Sequence, residues 1–491
     1  MSGMSPDMHD LVVQCDTIIT VDSERRILEN GWIAIDKDRI SALGQGPAPA
    51  GRKRLARPHM IALPGLIDAH AHAGHGLVRA AGDGNGDVWF DICETIYARH
   101  ATPEFWYAEA RLAQLERVLS GVTTAVSLLG GGADVMRTDS PDAGEAHCRA
   151  TRESGLRTLL AVGPSRYPFP KSFARRDGQG RLQNFDLAFE TQLEVSADLV
   201  RRQNDILNRR TGVCLVAPVY TQDHLNSHGP AIRPLCDKVS DLREALGVIF
   251  MQDGHRAGSI ETARSLGQLG PWAALAHCVD LTPDDITALQ ATGASVIHNP
   301  SAIMSILGRC PVPELLDLGV NVALGSDAAA PDRGYDMFRH MAQCMHYHRR
   351  HFREPAVMTE GKTLELTTIG AARALGLDRD LGSLEVGKKA DIILVDGFKP
   401  HLYPPVMHLN RITHFACAAD VDTVIVDGAI LMEQRRPELV SGPEILEHAA
   451  NLSAWLFEEA NITDNRNERP DIWYTMREAT AGFRAAGSEK D

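Results

Sequence analysis

The sequence predicts a (β/α)8 TIM barrel of the α/β class with a small β-sandwich formed from both ends of the chain. Two patterns carry that expectation. The middle of the chain alternates short β-rich runs with helical stretches, the rhythm of a parallel sheet or barrel. Strand-and-turn texture fills the beginning and returns late, after the alternation has ended. The composition agrees with a large buried core: 491 residues, 44% hydrophobic and 23% charged, are ordinary globular values.

From Asp10 to about Ala62 the runs DLVVQC, DTIITVD, GWIAIDKDRISALG and HMIALPG read as short strands separated by turns. Eight candidate barrel strands follow: GLIDAHAH (65–72), GVTTAVSLL (121–129), LRTLLAVG (156–163), GVCLVAP (212–218), GVIFMQD (247–253), WAALAHC (272–278), ASVIHNP (294–300) and VNVALGSD (320–327). Helical segments such as ATPEFWYAEARLAQLERVLS separate most of them. Strand texture comes back in KKADIILVDG (388–397) and DVDTVIVDGAILMEQ (420–434), so the two ends are expected to pair. The implied organisation is a first sandwich part at 1–63, a barrel at 64–380, a second sandwich part at 381–440 and a helical extension at 441–491. A doubly wound open sheet is the alternative fold.

Charge and cysteines exclude several classes of partner. The formal charge of −14 repels phosphate backbones and anionic membranes, so neither nucleic acid nor a membrane is an expected partner. Nine cysteines, odd in number and without a C-x-x-C pair, suit a reducing cytoplasmic setting. The N-terminus lacks a basic region followed by an apolar one, and no later stretch approaches the ~18 apolar residues that span a bilayer.

Chemistry concentrates where barrel enzymes place it, at the C-terminal ends of the strands. His70 and His72 end the first strand, Gln252 and Asp253 the fifth, His277 the sixth, His298 and Asn299 the seventh, and Asp327 the eighth. One such histidine is unremarkable in a core. Several strands ending this way are hard to attribute to packing. His-x-His on a strand sends both imidazoles to one face, so the pair can grip one ion. A carboxylate from LGSDAA on the last strand closes the circle. Nitrogen and oxygen donors with one open position suit one divalent metal ion, Zn2+ first, with Fe2+, Mn2+ or Co2+ as alternatives, whose task is to acidify a water.

These segments also carry a family resemblance. PGLIDAHAH, AHC, VIHNP, NVALGSD and GAARALGLDRDLGSLEVGKKADIILVD together resemble the amidohydrolase superfamily, nearest its branch of cytosine, guanine and S-adenosylhomocysteine deaminases and s-triazine hydrolases. The resemblance runs from about residue 10 to 435. It implies a mononuclear site in which His70 and His72 are ligands, a strand-five histidine is the third, and Asp327 is the fourth and takes the proton of the attacking water. His277 is implied to hydrogen-bond the nucleophile or the substrate's tetrahedral intermediate. A homodimer is the family-level expectation. The binuclear branch is disfavoured because GVCLVAPVYTQ offers no bridging lysine on strand four.

Strand five departs from the family's His-x-x-Glu. The simplest alignment of GVIFMQDGHRAGSIE puts Gln252 in the metal-ligand position and His255 in the proton-relay position. Glutamine is a poorer zinc ligand than imidazole, so His255 or His277 is an alternative completion of the sphere. A one-residue slip would instead bring Asp253 inward as ligand or base. Neutral His255 can relay protons near pH 7 but lacks the glutamate's charge.

Other residues carry less. Trp89 either lines a substrate pocket or packs a helix, and Asn299 either bonds substrate or holds a turn. His75 either reaches the pocket mouth or is a solvated loop residue, the second being the preferred reading. His340, His346, His348 and His351 read mostly as helix surface, and GDGNGD near 82–87 as a turn without phosphate-binding context. The reading is a metal-dependent hydrolase that uses activated water to cleave a C–N bond, by deamination or aminohydrolysis, of a small nitrogen-rich, heterocyclic substrate. The alternatives are a cyclic amide or urea-type hydrolase of the same fold and a non-catalytic binding protein with a degenerate site.

Overall fold

The structure, a computed structural model, describes residues 8–462 apart from 80, 82–85, 133 and 331–332. Most of GDGNGD and all of the polar segment after 462 therefore lie outside the described residues. Two eight-stranded sheets organise the chain. The first contains β1 (His9–Ile19), β2 (Ile27–Asp36), β3 (Arg39–Gln45) and β4 (Gly51–Pro64). The second, all parallel, consists of β5 (Leu66–Asp68), β6 (Val122–Leu128), β7 (Arg157–Val162), β10 (Thr211–Val216), β11 (Phe250–Gln252), β12 (Ala273–Ala276), β13 (Ser295–His298) and β14 (Val322–Leu324). A short hairpin, β8 (Lys171–Arg176) with β9 (Leu182–Leu187), interrupts the alternation after β7. The late strands β15 (Ile392–Asp396), β16 (Val421–Val426), β17 (Ala429–Glu433) and β18 (Arg436–Pro437) return to the first sheet.

All eight expected barrel strands are present. β6, β7 and β10 are buried along their whole length, as strands covered on both faces must be. The sheet closes where β5 meets β14: the Ala69 N–H donates to Leu324 O at 3.1 Å and the Asp327 N–H to His70 O at 2.8 Å. The helix Ile369–Ala374 stoppers the barrel's lower end, its alanines joining Ile67, Met251, Ile297 and Ala323 in one apolar cluster.

The expected pairing of the two chain ends takes the form of one mixed sheet in the order β18-β17-β16-β15-β4-β1-β2-β3. β4 is the hinge of this arrangement, running parallel to β1 on one side and antiparallel to β15 on the other. Leu11, Val13, Ile33, Ile35, Ile392 and Leu394 draw both ends into one core. The helix Gly442–Glu459 lies against Pro103–Leu119, a helix begun by Thr102, whose side chain accepts from Phe105 N–H, with Pro103 at its first position.

One helix departs from its sequence reading. Met337–Phe352, expected to show its histidines to solvent, buries His340 and His348 together with Met341, Cys344 and Met345. Residues 340, 344 and 348 recur every fourth position and so share the inward face.

A buried ion cluster joins the barrel to the accessory sheet. Arg157 of β7 is fully buried and reaches Asp391 at 3.2 Å and Asp427 at 2.6 Å, while its other amine donates to Ile206 O. Lys389 and Arg210 complete the balance around Asp427. Arg157→Leu leaves two buried carboxylates without their main partner and is expected to destabilise the fold by ~3–5 kcal/mol in urea denaturation. A loss below ~1 kcal/mol would show that Lys389 and Arg210 suffice.

Candidate metal centre

Five side chains from four strand ends converge at the mouth of the barrel. His70 and His72 follow β5, Asp253 follows β11, His277 follows β12 and Asp327 follows β14. His70 Nε2 lies 3.4 Å from Asp253 Oδ1 and 3.7 Å from Asp327 Oδ1. His72 Nε2 lies 3.5 Å from Asp253 Oδ2 and 3.3 Å from Asp327 Oδ1. His277 Nε2 approaches Asp253 Oδ1 at 3.0 Å.

These separations suit a shared cation. Two donors each ~2.1 Å from a tetrahedral zinc stand about 3.4 Å apart, close to the observed nitrogen-to-oxygen spacing. His70, His72 and Asp253 form one possible ligand triad, and His70, His277 and Asp327 another. His72 Nδ1 lies 3.1 Å from Gly130 O, the bond that fixes the proton on Nδ1 and turns Nε2 to an ion. His70 Nε2, the nitrogen that faces both carboxylates, is buried without a hydrogen-bond partner, as expected of a donor atom directed at an ion.

The electrostatics agree. Burial alone would raise the Asp327 carboxyl, but the Arg333 guanidinium, 3.2 Å from Oδ2, and the His70 and His72 imidazoles hold it well below the usual carboxylate range. Burial is likewise overcome at Asp253, chiefly by His277 and His70, and its carboxyl also stays low. Burial would make His70 a weak base, yet Asp253 and Asp327 push it up to about 10. The cluster therefore gathers positive charge, and a divalent cation satisfies it better than a proton.

The local backbone aims these groups. Met251 joins the barrel interior while Phe250 packs outside it, so by alternation Asp253 points in and Gln252 points out. His277 and Asp327 adopt left-handed φ of 74° and 64°, uncommon for residues with a Cβ and typical of functional sites. Asp68 fastens the seam beneath them, accepting from Ser326 N–H at 2.8 Å and Ser326 Oγ at 2.6 Å.

Among the residues singled out from the sequence, His70, His72, His277 and Asp327 come together. Gln252 and His255 do not, and both expectations are corrected. Gln252 donates to Gln268 O at 2.8 Å and meets His255 Nε2 through its carbonyl oxygen at 2.9 Å, behind the strand. His255 spends its other nitrogen on Ser259. The inward group is Asp253, the outcome of the one-residue slip.

A cavity of about 360 Å3, within the range of small-molecule sites, opens over the cluster. Trp89 lines it, with Cys93, Glu94, Asp134 and Arg166. His75 also lines it, the pocket-mouth alternative rather than the preferred solvated reading: it is buried, and Tyr97 Oη lies 2.9 Å from its Nδ1. Asn299 lies outside the lining, with its amide nitrogen 3.4 Å from His277 Nδ1. Sequence reasoning did not single out Arg333, or Glu94 of the helix Gly86–Thr95, because neither lies at a strand end.

Comparison with known proteins supplies the lineage. Residues 245–431 match the model of the amidohydrolase family. A 5-methylthioadenosine/S-adenosylhomocysteine deaminase of Syntrophobacter fumaroxidans is 30% identical over 90% of this chain and 98% of its own. The chain belongs to the amidohydrolase superfamily. Within it the chain falls in the deaminase and triazine-hydrolase branch. A 5'-deoxyadenosine deaminase of Methanosarcina acetivorans is 27% identical over 92% of this chain and all of its own. The fold matches a zinc-bound adenosine deaminase from Xanthomonas campestris, with a TM-score of 0.79 and 20% identity over 92% of this chain and 100% of that one. It also matches the zinc complex of atrazine chlorohydrolase from Arthrobacter aurescens, with a TM-score of 0.77 and 20% identity over 90% and 100%. This amidohydrolase is a metal-dependent enzyme that hydrolyses a C–N bond of a small nitrogen-rich molecule, and its donor set fits a divalent ion such as zinc.

If Asp253 rather than Gln252 faces the ion, Asp253→Asn should weaken metal retention by at least the ~10–100-fold typical of losing an outer-shell partner. Gln252→Leu should leave metal content unchanged. Zinc content after dialysis of both variants checks this, and the opposite pattern would restore Gln252 as the ligand.

Proposed function

We propose that this amidohydrolase is an aminohydrolase that releases ammonia from an amino-substituted heterocycle, with 6-aminopurine nucleosides as the substrate class. The observation that carries the reading is the convergence of His70, His72, Asp253, Asp327 and His277 under a small cavity walled by Trp89. The nucleoside class is supported by the deaminases named above. An indole face suits a flat heterocycle, which it can stack against.

His70, His72, Asp253 and Asp327 would hold the cation, whose chemistry when bound is to lower the pKa of a water to near neutrality. Asp327 is the proton acceptor. Its Oδ1 faces the imidazoles, and Arg333 binds Oδ2, which keeps the carboxylate ionised and oriented. His277 projects Nε2 into the same space, where it can donate to the oxyanion that forms as water adds to the ring carbon. Asn299 holds that ring from behind. The departing amine needs a proton, and Glu94 and Asp134 are the carboxyls of the cavity wall outside the ligand cluster that would supply it, Asp134 being bound by Arg166.

A second reading follows from strand five. Asp253 occupies the inward position in the cluster, so no glutamate stands three residues after an imidazole to protonate a ring nitrogen. Cleavage of a cyclic amide or urea, whose carbonyl needs less of that help, suits this arrangement. Product analysis separates the two, since deamination yields ammonia and the second reaction a ring-opened acid.

Cytoplasmic residence is part of the proposal, supported by nine free cysteines, eight of them buried. Among the described residues no helix is long and apolar enough to cross a membrane. A homodimer is supported by the exposed apolar side chains Phe398, Tyr403, Val406 and Met407, with the first two rings 5.8 Å apart.

Zinc-loaded protein given 5'-methylthioadenosine or 5'-deoxyadenosine is expected to release one ammonia per substrate. Asp327→Asn should lower that rate by at least ~10²–10⁴-fold with the fold intact by circular dichroism. Near-normal rates in the variant would reject Asp327 as the acceptor. Ring-opened products without ammonia would reject deamination.

A further inference from the structure

A second group of potential ligands lies on the outer face of the barrel wall. Ile297 of β13 joins the interior, so its neighbour His298 points the other way, toward the helix Met337–Phe352. There it meets Cys344 and His348, one helical turn apart on the buried face of that helix. The donor atoms of His298, Cys344 and His348 all lie within 4.8 Å of one another. The two imidazole centroids are 5.4 Å apart.

Hydrogen bonding sets this trio apart from ordinary core residues. His298 and His348 are 0% exposed, and none of their four ring nitrogens has a hydrogen-bond partner. Each neutral imidazole carries one donor and one acceptor, and burying both unpaired is costly. His340, two turns before His348 on the same helix face, shows the usual solution: Ser301 Oγ lies 2.9 Å from one nitrogen and Gly334 O 2.9 Å from the other. Burial keeps the His298 and His348 rings neutral, the form in which imidazole binds metals, and pushes the Cys344 thiol up to about 12, so this proton leaves only against a cation.

We propose that His298, Cys344 and His348 form a second, structural zinc site, separate from the centre at the barrel mouth. Two imidazoles and one thiolate are a borderline-soft set that suits zinc, with one coordination position left to water or a neighbouring group. On binding, Zn2+ takes one nitrogen lone pair from each ring and the sulfur of Cys344, whose thiol proton passes to solvent. The burial of the site means that the ion enters as the chain folds. The bound ion would tie β13 to the helix that follows β14.

The test uses the full-length protein refolded or expressed with excess zinc, then dialysed exhaustively. Two zinc ions per chain are expected, and one in the double variant His70→Ala/His72→Ala. Replacing zinc by Co2+ should give a thiolate-to-cobalt charge-transfer band in the near ultraviolet, because the cluster at the barrel mouth contains no sulfur donor. That band should survive His70→Ala/His72→Ala. It should also survive Cys417→Ser, which removes the thiol of the partly exposed His401, Cys417 and Asp420 group. Cys344→Ser should abolish it, and His348→Gln, which keeps the thiol, should weaken or remove it. Folded wild-type protein with a single zinc and no sulfur band would overturn the proposal without recourse to any variant. A band that persists in Cys344→Ser, or disappears in Cys417→Ser, would overturn it too.

Discussion

Two carboxylates, Asp253 and Asp327, are held ionised in a largely dehydrated pocket against the same two imidazoles, and that concentration of negative charge needs a cation to balance it. The rest of the barrel mouth serves this constraint. Residues from opposite ends of the strand order must be neighbours for it to exist, which makes it a property of barrel closure. The seam is fastened at three points around it: Ala69 to Leu324, His70 to Asp327 through the backbone, and Asp68 to Ser326 across 258 residues of sequence. An open sheet would leave the same residues at its two far edges. The catalytic centre and the closed barrel are therefore one physical fact.

An aspartate in place of the family's strand-five histidine changes what a cation can do. Two anionic ligands offset most of a dication's charge, which weakens its pull on a water compared with a site of neutral imidazoles and one carboxylate. Arg333 acts against this loss. Its guanidinium binds the outer oxygen of Asp327 and is itself fixed by Ala328 O and Ala330 O, so positive charge is returned to the site from a rigid position. Asp253 is shared as well, since His277 takes one of its oxygens at 3.0 Å. The altered strand five is thus accompanied by groups that draw electron density away from both carboxylates.

Much of this was legible in the sequence because strand ends and motif spacing coincide. His70 and His72 share a face by period two, and His277 and Asp327 end recognisable strands. What failed was parity. Gln252 and Asp253 are adjacent, and only the direction of Met251 decides which of them enters the barrel. Alignment to a His-x-x-Glu pattern favoured Gln252, whereas burial of Met251 among Ile297, Ala323 and Ala274 sends Asp253 inward. A hydrophobic run such as GVIFM, covered on both sides, has no polar alternation from which that direction can be read. The same ambiguity hid His348. Four histidines on one helix looked like a solvated face, but the spacing 340, 344, 348 follows the buried stripe that Met341 and Met345 also mark.

Strand seven shows how closely its two faces are bound together. Asn299 meets the His277 ring on the inside while His298, one residue earlier, stands between Cys344 and His348 on the outside. The His277 N–H donates to Ile297 O at 3.0 Å, so the strand also holds the backbone that carries the ring. With φ of 74°, His277 is a conformation that persists only when its surroundings over-determine it. A shift of β13 by one residue would exchange its faces, placing His298 at the His277 ring and Asn299 against the helix. That shift would also break up the outer trio, because of the two residues only His298 offers an imidazole nitrogen to Cys344 and His348. The position of the His277 ring therefore depends on a strand that is packed on both faces of the barrel wall.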